Sequence, residues 1–361
     1  MKRLLICVCI LSLLSGCNVR DVEKRAFVVT LGVDKVDEPN KVEVSFKIAL
    51  PTGDPKAGLG EFTVLSVKAG SLAEAVRRAK SKMDKELDFG HTKVIILGKG
   101  LLNEDVKPVL YWAQRRRDIQ MISYIAVGDP SAKKVLAVKP MSERVPAGYL
   151  INMLGREGSE SPFLVREFLF DMQRKISEYG WDPVLPVVKA AGSDSLIIDR
   201  AVLLNDEKVR VGLTPDETRL YNLLVNEDTT SSFTATTNGK TKYSINAEST
   251  KAKYKIHGGS WPKIKFNIKI NGVLEEDRQE GYFTEKKQKE ASSIIETDFN
   301  VRVLDLLEKI RKHKVDPIGF GFRYQAEHWK RDEQEEWARI YDKAKFEVHT
   351  EVEIKSTGIL R

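Results

Sequence analysis

The sequence predicts an α+β (mixed α/β) fold in more than one domain, with mixed β-sheets flanked by helices. Three observations carry that prediction. Segments with the two-residue period of a strand alternate with segments of helical period along the whole chain. The 361 residues are 42% hydrophobic and 31% charged, enough apolar material for packed cores and enough length for two or three domains. Beyond Leu14 no apolar run approaches the roughly eighteen residues needed to span a bilayer as a helix.

The N-terminus reads as an export signal. Met1-Lys2-Arg3 is basic, Leu4 to Leu14 is apolar apart from Ser12, and Leu14-Ser15-Gly16 places small residues before Cys17. That run is too short to cross a membrane, and its small-residue exit onto a cysteine has the form of a lipobox. We therefore expect a signal peptide at 1–16, a diacylglycerol thioether on Cys17 with N-acylation as a further step, and a lipidated tether at 17–24. Two acyl chains, each adding about 0.8 kcal/mol per buried CH₂, anchor a protein stably where one does not. A plain secretory signal with an incidental cysteine is the other reading of the same residues.

Cysteine usage narrows the chemistry. The three cysteines are Cys7, Cys9 and Cys17, and the first two leave with the signal. The mature body has no cysteine past residue 17, which excludes disulfides, thiolate metal sites and cysteine nucleophiles there. Net charge is +7. The densest basic stretch comprises Lys251, Lys253, Lys255, Lys263, Lys265 and Lys269. Export argues against nucleic acid as its partner. The solvated face of a strand accounts for it, and attraction to an anionic membrane is the alternative.

The elements follow in order. Phe27 to Val33 is a buried-strand run, and Val42, Val44, Phe46, Ile48 and Leu50 alternate as a second strand joined to it through Asp37-Glu38-Pro39-Asn40. Pro51 to Gly60 is a loop, and Phe62 to Lys68 a strand. Ser71 with Glu74 is a capping-box pattern, and the helical spacing of Leu72, Ala75, Val76, Ala79, Met83 and Leu87 predicts a helix over 72–87. Val94 to Gly98 is a strand, Val106 to Arg116 a helix, Ile119 to Val127 a strand and Ser131 to Val138 a short helix. Phe163 to Tyr179 reads as helical and Trp181 to Lys189 as extended. The break at Gly192-Ser193-Asp194-Ser195 places the main boundary, giving an N-terminal α/β region over 25–192, with room for two sub-lobes, and a C-terminal α/β domain over 196–361. Residues 196–204 and 205–212 form a hairpin, and Thr214-Pro215 opens a helix through Val225. Ile264, Phe266, Ile268 and Ile270 alternate as a strand. Ile294 to His313 and Asp332 to Tyr341 are helices, and Phe346 to Ile354 alternate as a closing strand.

No catalytic motif stands out. Gly58-Leu59-Gly60 and Gly98-Lys99-Gly100 lack the rest of a phosphate-binding loop, and no two of His91, His257, His313, His328 and His349 have zinc-ligand spacing. There is no nucleophile elbow. Catalytic, cofactor-binding and metal-binding residues are thus none, and we expect no enzyme and no cofactor. Asp316-Pro317-Ile318-Gly319-Phe320-Gly321-Phe322 reads as a structural turn with Phe320 or Phe322 in the core, or as a displayed pocket. Trp329 and Trp337, eight apart, share a face if both are helical.

Taken together and in order, several segments resemble the C-subunit lipoproteins of bacterial spore germinant receptors. They are the lipobox, Phe27 to Asp34, Phe89 to Gly98, Arg117-Asp118-Ile119 leading to Ala126-Val127-Gly128, Pro183 to Lys189, and Asp316 to Gly321 with Trp329 and Trp337. Asn18-Val19-Arg20 stands where the family often has a tryptophan after the lipidated cysteine. The resemblance spans the mature chain. It implies a non-enzymatic subunit of a nutrient receptor, required for nutrient-triggered germination, with two integral membrane subunits as partners. It also implies lipid anchoring to the spore inner membrane with the body on the outer face. Only Cys17 carries over as a site. Two other classes compete: a solute-binding lipoprotein of a transport system, which requires a concave polar pocket between lobes, and a tethered hydrolase, which requires clustered perturbed acids or histidines.

Overall fold

The computed structural model describes residues 22–50, 61–140, 147–155, 161–205, 208–226, 231–237, 240–279, 282–327 and 333–355. Cys17, the loop at 51–60, His328 and Trp329 lie outside the described residues.

The first half builds a nine-stranded mixed sheet. Its strands are β1 (Arg25–Lys35), β2 (Val42–Ala49), β3 (Phe62–Ala69), β4 (Glu86–Asp88), β5 (Val94–Gly98), β6 (Tyr124–Asp129), β7 (Val184–Ala190), β8 (Leu196–Asn205) and β9 (Lys208–Gly212). The spatial order is β3-β2-β1-β5-β6-β7-β8-β9, with β4 also pairing β1. Neighbours β1, β5, β6 and β7 run parallel, as helical crossovers demand, while the hairpins at either end are antiparallel. The residues after the 192–195 turn thus first complete this sheet.

Alternation along the central strands feeds two cores. Ile95, Leu97, Ile125 and Val127 pack with α1 (Leu72–Lys80) and α2 (Lys107–Arg115), whereas Val94, Ile96 and Ala126 pack with α3 (Ala132–Ala137) and α4 (Gly148–Leu154). Helices therefore cover both faces. The family-like segments Phe27–Asp34 and Phe89–Gly98 meet beneath α3. Buried Asp34 accepts the Ala132 and Lys133 amides at 2.7 and 2.8 Å, and a Cβ on Gly98 would lie 1.8 Å from Asp34 Oδ1.

The second sheet is β10 (Ser231–Thr237), β11 (Lys240–His257), β12 (Lys263–Asp277) and β13 (Lys345–Lys355), in that order, with only the last pair parallel. Its apolar face packs on α6 (Pro215–Val225), α7 (Glu285–Lys312), α8 (Phe320–Glu327) and α9 (Glu333–Tyr341). The opposite face carries all six lysines of the basic stretch in solvent, with Lys251 opposite Lys269 and Lys255 opposite Lys265. Lys263 and Lys269 pair with Glu347 and Glu351 at 2.5 and 2.9 Å.

Four element boundaries differ from the sequence expectation. The helix expected over 72–87 ends at Lys80, capped at Ser81, and Leu87 is buried in β4 beside Ala26. The strand expected over 119–127 starts at Tyr124, because a turn bonds the Ser123 amide to the Gln120 carbonyl. The helix expected over 163–179 is confined to α5 (Leu169–Ser177), since Leu164 to Phe168 is extended along β6. The helix expected over 294–313 begins earlier, at Glu285, where the Thr284 side chain caps a polar first turn that apolar spacing cannot reveal.

Candidate functional site

The two halves meet at a joint built from Tyr179 to Pro183 and Val315 to Phe322. The Asp182 amide donates to the Asp316 carbonyl at 2.9 Å, the Asp316 amide donates to Asp182 Oδ2 at 2.6 Å, and the Phe322 amide donates to the Gly180 carbonyl at 3.0 Å. Asp316 is buried, and its carboxylate accepts the amides of Gly319, Phe320 and Gly321 at 2.9, 3.0 and 2.7 Å, so it caps the start of α8. Burial pushes its pKa up to about 7 although those amides pull the other way. Of the two phenylalanines in the turn, Phe320 is fully buried among Tyr254, Phe266, Tyr341 and Phe346, and Phe322 sits half-exposed with its ring 5.6 Å from Trp181.

Glycine is required here for two different reasons. Gly319 has φ +79°, which side chains disfavour, and its Cα faces the Trp181 ring. At Gly321 the requirement is space: an added Cβ would meet Trp337 at 2.4 Å and Gly180 at 2.8 Å.

Beside this joint lies a cavity of about 680 Å³, within the range of small-molecule sites. One wall is α4 and the extended Leu164–Phe168 segment, the second is α5, and the third is α6 with Trp181. Buried Asn222 fixes the corner by donating to the carbonyls of Pro162 and Leu164 at 2.8 and 2.9 Å. Glu167 and Lys175 form an ion pair at 2.7 Å in which both side chains are almost wholly buried. Burial raises the Glu167 pKa to about 7, against the pull of Lys175, and its Oε1 has no hydrogen-bond partner among the described residues. Arg174 pairs with Asp171 at 3.2 Å and lays its guanidinium over Trp181 at 4.6 Å, with Lys175 Nζ 5.3 Å from the same ring.

None of these cavity residues was singled out by sequence reasoning. The signal was present as misplaced polarity: Arg166-Glu167 interrupts the run Phe163 to Phe170, and Asn222 sits amid Leu220, Tyr221, Leu223 and Leu224. Among the described residues no group of three or more His, Asp or Glu side chains could hold a metal ion.

Two family models match in tandem. The spore germination protein N-terminal domain covers residues 18–190, and the spore germination B3/GerAC-like C-terminal domain covers 199–358. The chain belongs to the C-subunit family of spore germinant receptors. It is 23% identical to a putative spore germination protein, YfkR, of Bacillus subtilis (strain 168), over 99% of this chain and 96% of that one. It is 22% identical to spore germination protein KC of the same organism, over 96% and 93%. The crystal structure of the GerBC protein superposes with a TM-score of 0.57 at 18% identity, covering 90% of this chain and 96% of that one, so the two share a fold. This germinant receptor C subunit has its mixed sheets and flanking helices in the expected class. Family membership makes it a receptor component that works with other subunits and associates with the spore inner membrane.

Proposed function

We propose that this C subunit is held on the outer face of the spore inner membrane by a diacylglycerol on Cys17. In that position it binds two integral membrane subunits and is required for nutrient-triggered germination. The observation that carries the reading is the order of parts: Leu14-Ser15-Gly16-Cys17 stands directly ahead of two family domains that together match most of the remaining chain. No described helix is long and apolar enough to cross a membrane, so an acyl anchor supplies what the helices do not. On this reading the subunit acts by binding its partners, without catalysis of its own. Replacing Cys17 with Ala is expected to move the protein from the spore membrane fraction to the soluble fraction and to slow nutrient-triggered germination. Full retention in the membrane fraction would refute the anchor.

A further inference from the structure

The cavity beside the joint has features that packing alone does not require. Arg166, Arg174 and Lys175 share its wall with Glu167 and Asp171, so cationic groups outnumber carboxylates there. Lys175 is committed to Glu167 at 2.7 Å and is buried with it. Arg174 is half-exposed; its planar fork offers five N–H donors, more than its 3.2 Å contact with Asp171 takes up. The Trp181 ring, 4.6 Å from that guanidinium, helps to hold the fork in place. The rest of the lining mixes apolar and aromatic side chains, Leu164, Phe168 and Val225 among them, with Asn152, Asn222 and Asn226. Low-dielectric walls with an excess of positive charge concentrate anions. The volume of about 680 Å³ admits an organic molecule well beyond the size of an inorganic ion.

We propose that this cavity binds a small organic carboxylate with an apolar body, its carboxylate paired with the Arg174 guanidinium and its body lying against Trp181 and Phe168. Asn222 and the Glu167–Lys175 pair are positioning residues: they hold the segment and the helix that form the walls. The site uses none of the residues proposed to anchor the protein, so it goes beyond the receptor reading and can fail independently of it.

The test uses the full lipidated chain in detergent and calorimetric titration with 3-phenylpropionate and, separately, phenethylamine, which has a similar body and the opposite charge. Saturable binding of 3-phenylpropionate at millimolar concentration or tighter, with no binding of phenethylamine, is expected. Arg174→Gln should weaken binding about tenfold or more, the scale of losing a charged hydrogen-bond pair. Val225→Trp approaches from the half-exposed rim, leaves the ion pair untouched, and should abolish binding by filling the cavity even if Arg174→Gln fails to fold. No saturable binding of 3-phenylpropionate, equal binding of the two probes, or unchanged affinity in a folded Arg174→Gln or Val225→Trp protein would overturn the proposal. Membrane fractionation of the same preparations before detergent is added reads the anchor separately.

Discussion

Replacing Gly321 with Ala tests the joint most directly. The new methyl would sit 2.4 Å from Cδ1 and Nε1 of Trp337, where carbon contacts normally settle at about 3.5–4.0 Å. Trp337 is 2% exposed and stacks between Tyr324 and Tyr341, with ring centroids at 5.0 and 5.5 Å, so it has little room to retreat. Moving the glycine the other way closes on Gly180, whose Cα is already 2.8 Å from the added atom. More than 1 Å must open somewhere in a close-packed aromatic cluster. Overpacking of this kind costs typically 1–3 kcal/mol, and with both exits blocked we expect about 3. Gly212→Ala is the control, since nothing lies within 4 Å of its added Cβ; it should be neutral or slightly stabilising. Urea unfolding followed by tryptophan fluorescence suits the measurement, because Trp181 and Trp337 both report on the joint. Should Gly321→Ala prove as stable as the parent to within about 0.5 kcal/mol, the packing described between Gly180, Gly321 and Trp337 is wrong.

Two further predictions concern stability. Thr214→Ala removes a capping box in which the Thr214 side chain accepts the Glu217 amide at 3.2 Å and the Glu217 carboxylate accepts the Thr214 amide at 2.7 Å; a loss of about 0.5–2 kcal/mol is expected by denaturant unfolding, and Thr214→Ser should recover most of it. Glu167 and Asp316 both titrate near pH 7 in the folded protein, well above the unfolded range near 4. Between those values the folded state holds protons that the unfolded state has released. Their stabilisation is therefore complete at low pH and lost as pH rises through about 7. Asp316→Asn should accordingly show a smaller fall in stability between about pH 5 and pH 8 than the parent does; an unchanged slope would remove Asp316 from the account.

How much of this was legible in the sequence depends on where each signal resides. Period-two alternation located β2, β12 and β13, because an apolar face leaves a mark on every second residue, while β1 showed as a continuous apolar run. Thr214-Pro215 and Ser71 announced the starts of α6 and α1, because caps are local chemistry. The end of α1 was not legible: Met83 and Leu87 continue the helical spacing by coincidence, while Leu87 answers to a parallel pairing with β1 far away in sequence. The same limit applies at 192–195. Glycine and serine mark a turn, but only hydrogen bonds from β8 to β7 reveal that the sheet continues through it. The cavity was the least legible part, because its polar groups are assembled from α5, the extended segment before it and α6, and no spacing rule links residues 167, 175 and 222.

The cavity's position gives the fold its functional consequence. Glu167, Arg174 and Lys175 belong to the stretch matched by the N-terminal family model, whereas Asn222 and Val225 belong to the C-terminal one. The same division separates Asp182 from Asp316 at the joint. A molecule seated in the cavity therefore touches side chains from both matched stretches at once, and any change in the distance between α5 and α6 changes its contacts. Such a molecule shifts the relative arrangement of the halves only by as much as it binds one arrangement more tightly than another. Since Asn222 already ties α6 to the carbonyls of Pro162 and Leu164, that difference must be drawn from breaking or keeping two hydrogen bonds and the packing around them. A coupling of about 1–3 kcal/mol is the scale such contacts supply, enough to bias a receptor assembly without dismantling its subunit.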